Sequence, residues 1–160
     1  MEPRQLRDAF GHFPTGVAIV TTLSDGGPVG MTVSSFNTVS LDPPLVLFSL
    51  DRRSLGLPAF AAASRIGINV LAEGQDVLSS RFAARGGDKW AGTAWRPGAE
   101  GCPLIDGALV GFECALHGAH DGGDHLILVC RVLRAEVVGS DEPPLLFWRG
   151  GYRSLADLAA

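Results

Sequence analysis

The segment formed by residues 30–54 constrains the fold most, because it predicts two strands on either side of a Pro-Pro turn. Its sequence is GMTVSSFNTVSLDPPLVLFSLDRRS. The first run carries Thr32, Ser34 and Ser35 at its centre. The second run, residues 45–50, is continuously apolar, which predicts a strand buried on both faces, and it ends in the polar sequence DRRS. Hydroxyls and backbone amides beside paired arginines are suited to hold a flat polar ring at one end and a phosphate at the other.

The rest of the chain predicts short strands and helices joined mostly by hairpin turns. Strands are predicted at residues 16–22, 29–36, 45–50, 66–71, 109–116, 126–138 and 145–148, and helices at 3–12, 55–63, 75–84 and 155–159. Residues 85–101 and 117–124 predict loops, because they are rich in glycine and lack periodicity. Since strands and helices do not alternate regularly, we expect a mainly β fold, a closed antiparallel barrel with short helical insertions, in one domain spanning residues 1–160.

Composition and charge argue against several classes of protein. Apolar residues make up 46% of the chain and charged residues 19%, which is typical of a globular domain. The net charge of −4 argues against nucleic-acid or anionic-membrane partners. No apolar run approaches the roughly 20 residues that a membrane span needs, and the N-terminus lacks the apolar core of a signal peptide. The three cysteines are an odd number without close pairing, which predicts buried thiols in a reducing cytoplasm.

The middle of the chain is its only basic part, with seven basic and five acidic groups in residues 51–100. Arg53 and Ser54 follow a predicted strand and begin a predicted helix, so they form either a phosphate site or a capped, solvated turn. Arg81, on the next helix, is either a third phosphate donor or a solvated side chain. His125 opens a strand after a glycine turn, which places it at a pocket mouth or on the surface.

Several common catalytic motifs are missing. The sequence contains no G-x-G-x-x-G after a strand, no P-loop, no G-x-S-x-G elbow and no C-x-x-C. Residues 114–125 are dense in potential metal ligands, but Cys114 and His117 are three apart and point to opposite faces of a strand. We therefore predict no metal site, and chemistry that a cofactor supplies by itself.

The chain resembles the flavin reductase-like family, whose fold is the FMN-binding split barrel. The matching segments follow one another in family order over nearly the whole chain: FPTGVAIVTT, GMTVSSFNTVSLDPPLVLFSLDRRS, INVLAEGQDVLSSRFA, GDKWAG, GDHLILVCRV and PPLLFWRGGYRSL. This resemblance implies an NAD(P)H:flavin oxidoreductase that reduces FMN or FAD by hydride transfer to N5. Such chemistry needs alignment of two cofactors rather than a protein nucleophile, which agrees with the missing motifs.

The resemblance also implies roles for individual residues. Contacts to the isoalloxazine ring and ribityl chain are implied for Thr32, Val33, Ser34, Ser35, Ser49, Leu50 and Asp51. The phosphate is implied to meet Arg53, Ser54 and Arg81. Phe82 is implied to pack beside the flavin, His125 to be the catalytic residue on the nicotinamide side, and Tyr152 to lie near the same mouth. Ser49 and Asp51 stand where many relatives carry Cys or Asn, so FMN and FAD both stay open.

The partners implied by the resemblance are a second copy of the chain, in a homodimer, and a flavin-dependent monooxygenase that receives the reduced flavin. NADH and NADPH are both open as the hydride donor. Two alternative functions also stay open on the sequence. One is a flavin-binding split-barrel protein without reductase activity, such as an electron carrier or sensor, and the other is a pyridoxine-phosphate oxidase-like enzyme.

Overall fold

The computed structural model describes residues 2–138 and 141–155. Its strands, in chain order, are β1 (Thr15–Gly16), β2 (Ala18–Ser24), β3 (Gly27–Val33), β4 (Asn37–Leu41), β5 (Pro44–Asp51), β6 (Ile66–Val70), β7 (Trp95–Pro97), β8 (Pro103–Ile105), β9 (Val110–Gly122), β10 (His125–Val137), β11 (Leu146–Trp148) and β12 (Gly151–Arg153). Its helices are α1 (Pro3–Phe10), α2 (Leu57–Ala61) and α3 (Asp76–Ala83). Strand makes up 49% and helix 14%, which confirms the mainly β prediction. Of the helix predicted at 155–159, residues 156–159 lie outside the described ranges.

Seven of these strands form one antiparallel sheet in the order β3-β2-β6-β9-β10-β5-β4. Two small sheets accompany it, β1-β11-β12 and β7-β8. None of the three helices described is long and apolar enough to cross a membrane. The antiparallel hairpins follow from the turn residues between the strands, as at Gly27, whose φ of 106° suits a tight reversal after β2.

Closure of the sheet is where the prediction was wrong, because within residues 2–138 and 141–155 no sheet closes into a barrel. After Val33 the chain leaves β3, and β4 then pairs with the outer side of β5. Ser35, in the connection between β3 and β4, contacts β5 through its side chain instead of through backbone hydrogen bonds. The Ser35 hydroxyl donates to the carbonyl of Ser49 at 3.2 Å and accepts from its N–H at 2.9 Å. In the seven-stranded sheet β3 and β4 are the two edge strands.

Two other predictions were wrong, one at the hairpin of β9 and β10 and one at β5. Residues 117–122 extend β9 instead of forming a loop, so the turn shrinks to Gly123 and Asp124, with Gly123 at a φ of 75°. His117 is the extra residue of a bulge opposite Val129 and Cys130. In β5, Val46, Phe48 and Leu50 are buried and their neighbours only half-buried, so the strand is not buried on both faces.

The core has two parts, which lie on opposite faces of β2: Ala18 and Val20 belong to the larger, and Val17 and Ile19 to the smaller. The larger cluster is built around Phe48, Phe60, Ile68 and Leu128, all fully buried. The smaller cluster packs α3 through Phe82 against β2 and the segments around it. All three cysteines are free and buried, as predicted, and burial raises the pKa of the Cys130 thiol to about 12.

A buried amide joins the small β7-β8 sheet to the large one. The Asn69 side chain donates to the carbonyl of Ile19 at 3.0 Å and accepts from the N–H of Ile105 at 2.9 Å. Asn69 has no exposed surface, so neither backbone group can bond to water in its place. One side chain therefore satisfies backbone groups on two separate elements.

We predict that Asn69→Ala lowers the free energy of unfolding by about 1–3 kcal/mol, because the buried N–H of Ile105 and the buried carbonyl of Ile19 each lose a hydrogen bond. Chemical denaturation measures this change. The matched control is Asn37→Ala, at an exposed position of β4, which should stay within about 0.5 kcal/mol of the wild type. Equal stability of both variants would contradict the role given to Asn69.

Candidate functional site

The best candidate site is a cleft of about 690 Å³ beside the edge strand β3. It is lined by residues 28–32 of β3, by Asp51 and residues 53–56 after β5, and by residues 82–90 at the end of α3 and beyond. Its volume lies in the range of small-molecule and cofactor sites. The cleft brings together the two ends of the segment 30–54, namely residues 30–32 and residues 51, 53 and 54.

An aromatic group forms one wall of the cleft. Phe82 is 1% exposed, and Trp90 meets it edge to face with ring centroids 5.0 Å apart. Trp95 extends the group, 5.5 Å from Trp90. The wall stands close to β3 because residue 30 is a glycine: a Cβ there would lie 2.4 Å from the Phe82 ring and 3.1 Å from the Trp90 ring. Bare backbone at Gly30 therefore lets α3 approach the strand.

The opposite rim of the cleft is charged. The Arg53 guanidinium donates to both carboxylate oxygens of Asp51, from Nε at 3.1 Å and from Nη2 at 2.7 Å. This pairing holds the pKa of the Asp51 carboxyl well below its usual range. Arg53 remains largely exposed, with 72% of its side chain accessible. The rim thus presents a guanidinium whose orientation is already set.

Ser54 lies on this rim but does not cap a helix. Its hydroxyl contacts the Met31 sulfur at 3.2 Å, and α2 begins after Gly56 with no side-chain cap. The capped-turn interpretation of Ser54 is therefore wrong. Because a thioether is a weak acceptor, the hydroxyl remains available to a stronger one. Arg52 turns to the β9-β10 turn, where it binds Asp121 and the carbonyl of Gly123.

The residues predicted to contact a ring are placed in different surroundings. Thr32 lines the cleft, and its hydroxyl donates to the carbonyl of Ser79 at 2.6 Å. Val33 and Leu50 point into the larger core cluster, so only their backbone can meet a ligand. Ser34 is exposed. Ser35 and Ser49 bond to each other where β3 gives way to β4.

Arg81 and Tyr152 are not on this cleft. Arg81 lines a second cleft of about 280 Å³, where its guanidinium donates to the carbonyl of Ala91 at 3.0 Å and to the hydroxyl of Thr93 at 3.2 Å. The Tyr152 hydroxyl donates to the Ser79 hydroxyl at 2.8 Å, which ties β12 to α3. The structure therefore does not bring Arg81 into one cleft with Arg53 and Ser54.

His125 lies at the start of β10, opposite Asp51 in the β5-β10 register. Its Nδ1 is 2.7 Å from a carboxylate oxygen of Asp124, and 42% of the side chain is exposed. It does not line either cleft. The potential metal ligands nearby stay apart, with Cys114 buried and His117 exposed. Among the residues described, no three such side chains are placed to share an ion.

Sequence reasoning missed Lys89, which lines the cleft and donates to the carbonyl of Phe82 at 2.8 Å. Burial lowers the pKa of this ammonium. Sequence reasoning also gave Trp90 no role, although it predicted a loop at residues 85–101. The available signal was a lysine and a tryptophan two residues after the Gly86-Gly87 pair, inside a long loop of the kind that is often functional.

Comparisons with known proteins agree on one family. The family model described as "Flavin reductase like domain" matches residues 10–156. The "FMN reductase (NADH) SmoA" of Agrobacterium fabrum is 48% identical over 149 residues, which cover 93% of this chain and 84% of that protein. The "Flavin-dependent monooxygenase, reductase subunit HsaB" of Mycobacterium tuberculosis is 41% identical over 156 residues, which cover 97% of this chain and 83% of that protein.

A solved structure gives the same result. It is the NADH:FAD oxidoreductase SgcE6 of Streptomyces globisporus in complex with NAD and FAD fragments. The match has a TM-score of 0.93 at 37% identity and covers 100% of this chain and 98% of that one. The fold described above is therefore shared with an experimentally determined relative over its full length.

We predict that Gly30→Ala lowers the free energy of unfolding by about 1–3 kcal/mol, since the new methyl overlaps the buried Phe82 ring. It should also change the tryptophan fluorescence, because Trp90 must move with Phe82. Gly16→Ala is the matched control, as a Cβ at that strand position meets nothing within 4 Å. If the two variants unfold alike and keep the wild-type emission, the close approach at Gly30 is not a constraint.

Proposed function

Because the chain belongs to the flavin reductase-like family, we propose that it is an NAD(P)H-dependent flavin reductase that supplies reduced flavin to a partner monooxygenase. The observation that carries the proposal is the cleft beside β3, which combines an aromatic wall with the Arg53 guanidinium that Asp51 holds in place. It occurs in a chain whose relatives are named as an FMN reductase and an NADH:FAD oxidoreductase. When bound, FMN or FAD supplies the hydride-accepting chemistry.

The residues of the cleft fit a flavin in size and in chemistry. The volume of about 690 Å³ admits a cofactor of this size. We assign Met31, Thr32 and the aromatic wall to the flat ring. Since the Thr32 hydroxyl donates its proton to Ser79, its oxygen remains as an acceptor for a ring N–H.

We assign the phosphate to Arg53 and Ser54 at the charged rim. Asp51 holds the Arg53 guanidinium through two hydrogen bonds, so little side-chain freedom is lost when a phosphate binds. The Ser54 hydroxyl faces only a thioether and can donate to the same anion. We assign the ribityl chain to the backbone of residues 33–35 and 49–50, where Ser35 and Ser49 bond to each other.

His125 is proposed as the residue on the nicotinamide side. Asp124 orients the ring through Nδ1 and leaves Nε2 without a partner among the described residues. A carboxylate at this place favours the tautomer in which Nδ1 carries the proton. The imidazole then offers Nε2 as an acceptor to a donor such as a carboxamide.

The remaining proposals concern assembly and location. We propose one domain over residues 1–160. A homodimer is supported by exposed apolar side chains on the edge strand β4, where Leu41 is 96% exposed and Val39 49%. Three unpaired, buried cysteines support a cytoplasmic location.

The function is tested by mixing the protein with FMN or FAD and with NADH or NADPH, and following the nicotinamide absorbance. We expect oxidation with at least one of the four pairs. No oxidation with any pair would overturn the proposal. Tight flavin binding without turnover would instead identify a flavin-binding protein without reductase activity.

We predict that His125→Ala lowers kcat/KM for the nicotinamide by about tenfold, the equivalent of one hydrogen bond, and leaves flavin affinity unchanged. Steady-state kinetics and a flavin titration measure the two effects separately. His117→Ala, an exposed histidine on the neighbouring strand, is the matched control. A fall in flavin affinity in His125→Ala would place His125 on the flavin rather than on the nicotinamide.

A further inference from the structure

The segment of residues 84–93 is tied to α3 by two cations that point in opposite directions. Arg81 reaches from the helix to the segment and donates to the carbonyl of Ala91 and the hydroxyl of Thr93. Lys89 reaches back from the segment and donates to the carbonyl of Phe82. The Thr93 hydroxyl in turn donates to the carbonyl of Lys89 at 3.0 Å. These bonds close a ring of contacts around the segment.

Trp90 lies inside this ring of contacts. Its backbone N–H and that of Ala91 both donate to a carboxylate oxygen of Asp88 at 3.1 Å, which forms a tight turn. The indole then projects from that turn onto Phe82. The position of the indole therefore depends on how the turn is attached to α3.

The part of the segment before Lys89 has little else to hold it in place. Residues 84–88 are exposed and form no regular element. Gly86 and Gly87 both have positive φ, at 107° and 77°, which costs glycine little and restrains the chain weakly. Side-chain bonds to α3, together with the ring contacts of Trp90 with Phe82 and Trp95, thus restrain an aromatic residue that walls the cleft.

The site of the Lys89 bond suits a cation. The carbonyl of Phe82 belongs to the last turn of α3, where carbonyls lack helical partners and the helix dipole favours positive charge. The ammonium is partly buried there, and this burial lowers its pKa. A lysine that served only solubility would extend into water instead.

We propose that Arg81 and Lys89 are positioning residues that clamp residues 84–93 to α3 and so hold Trp90 as a fixed wall of the flavin cleft. The proposal rests on the proposed function for the identity of the ligand. It gives Arg81 a role through the segment, in place of direct contact with the phosphate. Neither residue needs to touch the flavin for its loss to weaken binding.

The test uses Lys89→Met and Arg81→Met, which remove the donors and keep side-chain length, with Lys89→Arg as the conservative variant. Arg131→Met, at an exposed site on β10, controls for the lost positive charge. The first measurement, without ligand, is the circular dichroism couplet of the Trp90–Trp95 pair, and Trp90→Phe confirms its origin. The second is flavin affinity by fluorescence titration.

We expect both Met variants to lose the couplet and to bind flavin about tenfold more weakly, the loss of roughly one charge-assisted hydrogen bond. Lys89→Arg and Arg131→Met should keep both signals. Weaker binding with an unchanged couplet would overturn the proposal, since it would mean direct contact with the flavin. A lost couplet with unchanged affinity would also overturn it, since Trp90 would then be no wall.

The two measurements, the couplet and the flavin affinity, separate this proposal from the function on which it rests. If the wild type binds neither FMN nor FAD, the proposed function fails, while the ligand-free couplet still decides whether the clamp exists. If a Met variant does not fold, the shorter polar variants Lys89→Gln and Arg81→Gln replace it, with the same two readouts and the same expected losses.

Discussion

The close packing of Phe82 on the bare backbone of Gly30 is the contact on which the site depends. It brings α3 against an edge strand, where a side chain at position 30 would hold the helix away. Everything that α3 carries is placed by this contact, including the carbonyl of Ser79 that accepts from Thr32 and the carbonyl of Phe82 that accepts from Lys89. A single absent Cβ therefore sets the width of the cleft.

The charges of the basic middle segment are mostly engaged within the protein. Arg52 binds Asp121, Arg53 binds Asp51, and Arg65 binds Glu100. Exposed pairs of this kind contribute little to stability, but they fix the direction of the guanidinium groups. The functional value of such a pair lies in orientation: Arg53 meets the cleft already aligned, whereas a free arginine would lose conformational entropy on binding.

The sequence predicted local elements better than the relations between them. The β2-β3 hairpin, β5, β6 and α3 follow from turn residues and periodicity within a few positions. The placement of Arg81 could not be predicted in this way. Helical spacing shows which residues share a face of the helix, but it does not show which loop folds back onto that face. The extension of β9 through His117 was hidden by a bulge, since one extra residue breaks the alternation on which strand prediction relies.

The position of the cleft beside β3 has a consequence for solubility. An edge strand offers unpaired N–H and C=O groups that can recruit another strand, and β3 is such an edge among the described strands. Residues 82–90 line the same cleft as residues 28–32 and so stand beside this edge. A strand added to this edge would meet the aromatic segment, so we expect a change that frees the segment to make aggregation easier.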